Sequence, residues 1–519
     1  MRLIKILTVI VLALARLNTS AHTDITYCRA KWSFSPDAPY ISGTVMYNFK
    51  STAESITTID FDLSNHLHVD KILYHNSTLP FTHKKSKIEI TLPNSVEPGV
   101  TDSIEIEYHG KTVSTGLGTI CFDKQAHTAW TVSEPWGGRD WWPCRQNLSD
   151  KIDSMDIYVT CPAHYLVGTN GRLTGYVENG ATHTAHYKVS HPVNYYTVGI
   201  AVGIFNTTES VATLSDGGKI ELIDYYPPSF DYYDKMPKNI ANFVNFFSDY
   251  WIPYPFADEK YGQVFVGGKL SIEHQTMSFL SFDDIGTIAH ELAHQWFGNY
   301  VTCCTWQNIW FNEAFASFGE LLILEKYYSD FTIQWKEYTR KSAITSKRRI
   351  FLSDTLNPDA VLDIPTTYNK SAMMLVMLRN EIGPQAFQKG CRAILEKYAN
   401  GFAGIENARE CFEAAADTSL TDFFNKWIYG IGHPIYTVGF DKIGNGKTNI
   451  TIRQTTSDKS VDFYPLHVTV RLTGGDQYKD VRLHHTQQVQ TFTVETDFDV
   501  EDVIFDPESD ILCTWSKRR

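Results

Sequence analysis

Apolar and polar positions alternate with two different periods along this chain, and the period changes twice. From about residue 25 to 225 the pattern has period two. "KIEITL" alternates through Ile88, Ile90 and Leu92, "SIEIEY" through Ile104, Ile106 and Tyr108, and "MDIYV" through Met155, Ile157 and Val159. Turns rich in Gly, Pro, Asn and Asp, such as "LPNSVEPG" and "VENGAT", separate these runs. Many short strands in a β domain are predicted. Near residue 230 the spacing becomes helical. Ile240, Phe243, Val244, Phe247, Tyr250 and Trp251 recur every three or four residues, opened by Pro237. Helices then dominate to about 430: "DIGTIAHELAHQWF", "NEAFASFGELLILEKYY", "YNKSAMMLVMLRNEI" and "PQAFQKGCRAILEKYA". The apolar stretch "YGQVFVGG" between the first two helices is a candidate strand. After "GIGHP" period two returns in "NITI", "LHVTVRL" and "QTFTVET", which read as a small sandwich.

This order predicts a multidomain α+β protein: a signal segment over 1–21, a β domain over 22–225, a mostly helical domain over 226–433 and a small β-sandwich over 434–519. A length of 519 residues exceeds what one hydrophobic core supports. Apolar content of 43% and aromatic content of 13% fit a packed globular chain. The net charge of −13 argues against a nucleic-acid surface and against a basic membrane patch.

The N-terminus reads as a targeting segment. "MRLIK" is basic, "ILTVIVLALA" is apolar, and "RLNTSA" ends in small residues, which predicts secretory cleavage near Ala21. An uncleaved membrane anchor is the other reading, although the apolar run is shorter than the roughly 17 to 25 residues of a spanning helix. The expected product is exported, periplasmic or extracellular, without stable membrane insertion. Export permits disulfides, but nine cysteines leave at least one unpaired within the chain.

The chemistry concentrates in "HELAHQWFGN", residues 290–299. Residues four apart on an α-helix share a face, so His290 and His294 can reach one ion. Imidazole suits Zn²⁺, and Glu291, in a neighbouring sector, suits a general base acting on water at the metal. A third donor is needed, and "FNEAF" supplies Glu313, nineteen residues after His294. Two His and one Glu leave a fourth position open for catalysis. Phe297 and Tyr300 stand where a metzincin needs Gly and His, which removes that class. Adjacent Cys303 and Cys304 are not needed as ligands. Glu320, two turns beyond Glu313, is either a partner to a ligand His or a solvated residue.

"HELAHQWFGNYVT" followed by "WFNEAFASF" resembles the aminopeptidase N family of gluzincin zinc metallopeptidases, and other family elements follow in order over most of the chain. The resemblance implies one zinc per chain and peptide substrates with a free N-terminus. "LSIEHQTM" is similar to the family's Gly-x-Met-Glu-Asn strand, which makes Glu273 the residue that binds the substrate's α-amino group; Leu270, Ile272 and His274 depart from that pattern. "TYNKSAMMLVML" resembles the Tyr-x-Lys-Gly helix start, which makes Tyr368 the oxyanion donor, with Ser371 in place of Gly. "SEPWGGRDWWPCRQNLSDK" resembles the segment whose acidic residue reaches the same amine, here Glu134. Ala314 stands where Gly is common. The family fold would be a saddle-like β domain, a thermolysin-like catalytic domain and a small sandwich, and the helical domain that follows in many members would be missing here. The competing readings are a thermolysin-type endopeptidase and a binding protein that kept the fold.

Overall fold

The computed structural model describes residues 23–113, 119–148, 150–230 and 236–518. The expected signal segment lies outside the described residues. The chain divides into two compact units: one comprises residues up to Phe246 together with Pro253–Glu291, the other Phe247–Ile252 together with Leu292–Arg519. Two of the three cuts pass within single continuous helices, Met236–Tyr250 and Ile285–Ala293.

The first unit is built on an eight-stranded sheet in which Thr23–Phe34 pairs antiparallel with Tyr40–Ser51 and parallel with Met155–Pro162. Period two holds where one face is covered: Ile88, Ile90 and Leu92 are buried, as are Ile104, Ile106 and Tyr108. Trp32, Trp141 and Trp142 pack together beneath it, and the hydroxyls of Tyr47 and Tyr108 donate to the carbonyls of Pro143 and Trp141. This core buries the aromatic segment that follows Glu134, so that segment is structural as well as a carrier of a candidate residue.

A second sheet in this unit orders Asn206–Thr213, Lys219–Tyr226, Tyr261–Phe265 and Met277–Leu280. It joins strands on both sides of residues 225 and 226, and its last two pairings are parallel. "YGQVFVGG" is therefore a strand in mid-sheet, buried along its length. The segment between it and the strand Met277–Leu280 carries Glu273.

The second unit contains Trp310–Tyr327, Thr332–Ala343, Ser371–Ile382, Pro384–Lys397, Ile405–Ala416 and Thr421–Tyr429, followed by two small sheets of four and three strands. The helix Trp310–Tyr327 is apolar nearly all round and is buried through its first ten residues, as an internal helix must be. Arg379 holds Glu325 through two bonds of 2.8 and 2.6 Å and lies over the Phe318 ring. Lys336 and Arg340 reach Asp510 and Asp506, which tie the helix Thr332–Ala343 to the C-terminal strands. Burial pushes the Asp506 carboxyl up to about 6. All nine cysteines are free thiols, so no disulfide supports either unit. Among the described residues no helix is long and apolar enough to cross a membrane.

Candidate metal centre

The helix that carries the motif starts on its own cap. Asp284 accepts hydrogen bonds from the Thr287 amide at 3.0 Å and the Thr287 hydroxyl at 2.7 Å, which satisfies a donor the first turn leaves open. Regular α-helix runs over Ile285–Ala293 and stops one residue short of His294. The next residues tighten and then widen: Trp296 N–H donates to Ala293, while Asn299, Tyr300 and Val301 each donate to the carbonyl five residues back. His294 therefore sits on the closing turn. Its Nδ1–H donates to the Phe297 carbonyl at 3.1 Å, which fixes the tautomer and presents Nε2 outward.

Gly298 makes that turn possible. Its φ of +137° lies in the region glycine favours, and a Cβ there would stand 3.0 Å from His294 Nδ1. Trp251, Trp296, Phe297 and Phe315 stack around the turn, and Trp296 Nε1 donates to the Ile252 carbonyl. The motif is anchored by aromatic packing on one side and by the incoming helix on the other.

That incoming helix delivers Glu313 in its first turn. The preceding residue, Asn312, is fully buried and accepts from the Cys303 amide at 3.0 Å, which fixes the connecting loop. Close approach of the two helices depends on Gly319, where a Cβ would lie 2.6 Å from the Ala293 Cβ, closer than real atoms come. Gly319→Ala is expected to destabilise the protein by about 1–3 kcal/mol through overpacking. A lowered urea midpoint would report it, and an unchanged midpoint would mean that the helices separate freely.

His290, His294 and Glu313 each offer one ligand atom, and these atoms all lie within 4.8 Å of one another. His294 Nε2 and Glu313 Oε2 are 3.5 Å apart and nearly inaccessible, with both side chains 2% exposed. A second group, Glu273, Glu291 and His294, meets the same distance criterion. Five of the seven predicted residues thus converge around His294. Glu134 is buried but belongs to neither group, and it precedes a cis peptide bond to Pro135. Tyr368 is half-buried on the π-helical turn Ile364–Lys370, which Asp363 caps by accepting from the Thr366 amide. Ser371 bonds back to the Thr367 and Tyr368 carbonyls, so the hydroxyl in place of glycine closes onto the turn. Glu320 accepts from Trp335 Nε1 at 2.8 Å.

The departures in "LSIEHQTM" also have places. Ile272 pairs with Phe279 in an antiparallel bridge, which leaves Glu273 at the head of a tight reversal. His274 is fully buried against Phe279, and burial pushes its imidazole down to about 3, so it stays neutral. Gly199 accommodates it, since a Cβ there would lie 2.3 Å from the ring.

Comparison with known proteins joins this geometry to a family. Residues 269–427 match the family model described as the peptidase family M1 domain. The part of the chain that carries the motif therefore resembles a peptidase family M1 domain. It is 28% identical over 357 residues to human glutamyl aminopeptidase, covering 63% of this chain and 36% of that protein. It is 27% identical over 285 residues to aminopeptidase M1-C of Oryza sativa subsp. japonica, covering 50% of this chain and 32% of that one. The chain spans between 32% and 43% of the length of the first rice relatives it matches. In fold it resembles the M1 zinc metallopeptidase of Deinococcus radiodurans, with a TM-score of 0.70, 22% identity, and coverage of 78% of this chain and 93% of that one. A variant of that protein bound to a Tyr-Ser-Ala substrate gives a TM-score of 0.71 at 21% identity, covering 78% of this chain and 94% of that one. The β-rich N-terminal region, helical middle and C-terminal strands resemble the fold of that metallopeptidase.

Proposed function

We propose that this chain is a zinc aminopeptidase that hydrolyses the first peptide bond of peptides with a free N-terminus. The observation that carries the reading is the gathering of His290, His294 and Glu313 into one buried donor set, with Glu291 and Glu273 beside His294. The donors suit the ion. Two imidazole nitrogens and a carboxylate oxygen are a catalytic zinc set, and ligands at 2.0–2.1 Å in a tetrahedron stand roughly 3.3 Å apart. The 3.5 Å between His294 Nε2 and Glu313 Oε2 is close to that edge. When bound, one zinc per chain supplies Lewis-acid chemistry, polarising a carbonyl and acidifying water.

The chain's own groups do the rest. Glu291 takes a proton from the attacking water and returns it to the departing amine. The Tyr368 phenol donates a hydrogen bond to the carbonyl oxygen as that oxygen gains charge. Glu273 and Glu134 accept hydrogen bonds from the substrate ammonium, which sets the register so that the first peptide bond is the one attacked. The basic, apolar and small-residue order of the first 21 residues supports export to the periplasm or the extracellular space.

The deciding experiment is a panel of aminoacyl chromogenic amides with matched N-acetylated controls, assayed with and without chelator. Cleavage of free amides that chelator abolishes and zinc restores is the expected result. Equal cleavage of free and acetylated substrates would point to an endopeptidase, and cleavage insensitive to chelator would remove the zinc reading.

A further inference from the structure

Glu273 does not hold its own position. It heads a reversal closed by a hydrogen bond from the Met277 amide to the His274 carbonyl at 2.9 Å. Within that reversal Thr276 adopts a φ of +63°, an unusual conformation for a β-branched residue. Such a residue persists only where its surroundings over-determine it. Here they do, and the groups responsible come from three separate segments of the same compact unit.

Lys260 stands immediately before the strand Tyr261–Phe265 and is 6% exposed. Its ammonium donates to the Thr276 carbonyl at 2.9 Å, the Thr276 hydroxyl at 3.4 Å and the Thr169 carbonyl at 3.2 Å. Asn170 is fully buried. Its amide donates to the carbonyls of Gln275 at 2.7 Å and Thr197 at 2.8 Å, and its oxygen accepts from the Gly199 amide at 2.9 Å. The Gly171 amide donates to the Thr276 hydroxyl at 2.8 Å. The Gln275 amide donates to the Thr197 carbonyl, and the Gly262 amide to the Thr276 carbonyl. The carbonyls of Gln275 and Thr276, the Gln275 amide and the Thr276 hydroxyl are all held in this way.

A buried ammonium is a costly way to fill a core. Apolar residues of similar volume generally do so as well or better. Burial pushes the Lys260 ammonium down to about 7, while the neighbouring Glu259 carboxylate opposes the shift. Glu259 is itself anchored by the Ser190 amide at 2.6 Å. Both Lys260 and Asn170 spend their hydrogen bonds on carbonyls of two adjacent residues, Gln275 and Thr276, and on the backbone those residues rest against. That concentration on one reversal is what a positioning device needs and what generic core packing does not.

We infer that Lys260 and Asn170 are positioning residues that clamp the Gln275–Thr276 reversal and thereby hold the Glu273 carboxylate in register for the substrate ammonium. The proposal rests on the reading of Glu273 as the amine anchor. Misplacement of such a group by about 1 Å is enough to lower catalysis about 100-fold.

The test compares Lys260→Met, Thr276→Val, Thr276→Ser and Glu273→Ala as full-length, zinc-loaded protein. The substrates are the best free aminoacyl amide of the panel and its N-acetylated counterpart. Lys260→Met and Thr276→Val are expected to lower kcat/KM on the free amide by about 10- to 100-fold, mainly through KM, with cleavage of the acetylated substrate and zinc content unchanged. Thr276→Ser keeps the hydroxyl and is expected to retain the parent ratio. A structural role alone would lower both substrates by one factor, because only the folded fraction would change. Equal losses on both substrates, or no loss in either variant, overturn the proposal. If Lys260→Met fails to fold, the shape-matched Val and the hydroxyl-keeping Ser at 276 decide the question between them. If Glu273→Ala leaves the free-to-acetylated ratio intact, the anchor reading itself falls and the proposal with it.

Discussion

Glu291→Gln is expected to lower kcat on free aminoacyl amides by about 10²- to 10⁴-fold, the range of a lost general base, and to leave zinc at one equivalent per chain. Glutamine preserves volume and one oxygen but cannot take a proton from water. The residue is nearly buried on the motif helix, and its backbone carbonyl accepts from the Ser278 hydroxyl at 3.4 Å, so the substitution leaves its support intact. The three proposed donors, His290, His294 and Glu313, are also untouched. The decisive measurement is therefore paired: steady-state kinetics together with metal content by mass spectrometry. Near wild-type turnover would sink the assigned role. Loss of zinc together with turnover would instead make Glu291 part of the metal's support. A retained metal with a lost rate is the outcome that isolates proton transfer.

How much of this was legible in the sequence differs from one residue to the next, for physical reasons. His290, His294 and Glu313 were legible because helical spacing places two imidazoles together, and few chemical roles want a carboxylate nineteen residues on. The strands through Ile88 and Ile104 were legible because burial on one face imposes period two. The same logic gives no warning at the sheet edge, where Leu173, Tyr176 and Val177 of Arg172–Asn179 are all well exposed. Nor does it locate the parallel pairing of Lys219–Tyr226 with Tyr261–Phe265, because parallel partners lie far apart in sequence and leave no turn signature. The end of the motif helix at Ala293 depends on Gly298 and the Phe297 carbonyl, and period-based reasoning runs straight through it. Lys260 and Asn170 were invisible for a further reason. Their roles consist of hydrogen bonds to backbone carbonyls, and a backbone carbonyl has no letter in the sequence. The nine free thiols make a related point: an export signal expected from sequence permits disulfides without requiring them, and both units rest on aromatic and aliphatic cores.

Glu273→Ala is expected to abolish the preference for a free N-terminus without abolishing hydrolysis. Removing one partner of a desolvated, hydrogen-bonded charge pair costs about 2–5 kcal/mol, which is roughly 30- to 5,000-fold in kcat/KM on a free aminoacyl amide. The acetylated substrate carries no ammonium, so its slow cleavage has nothing to lose at this position. The ratio between the two substrates should collapse toward one, while Glu291 and the donor set continue to act. Glu273→Gln separates charge from hydrogen bonding: it keeps an acceptor oxygen on the same side chain and should fall between parent and alanine. The carboxylate is 2% exposed, so bulk salt should screen it weakly. The discrimination ratio of the parent protein should therefore change little between low and physiological ionic strength, whereas an anchor on the protein surface would weaken. A ratio that survives Glu273→Ala would assign the register to another acid, and Glu134, buried in the same unit, is the residue to replace next. A ratio that collapses makes the difference between a general peptide cutter and an aminopeptidase a matter of one buried charge seventeen residues ahead of the motif.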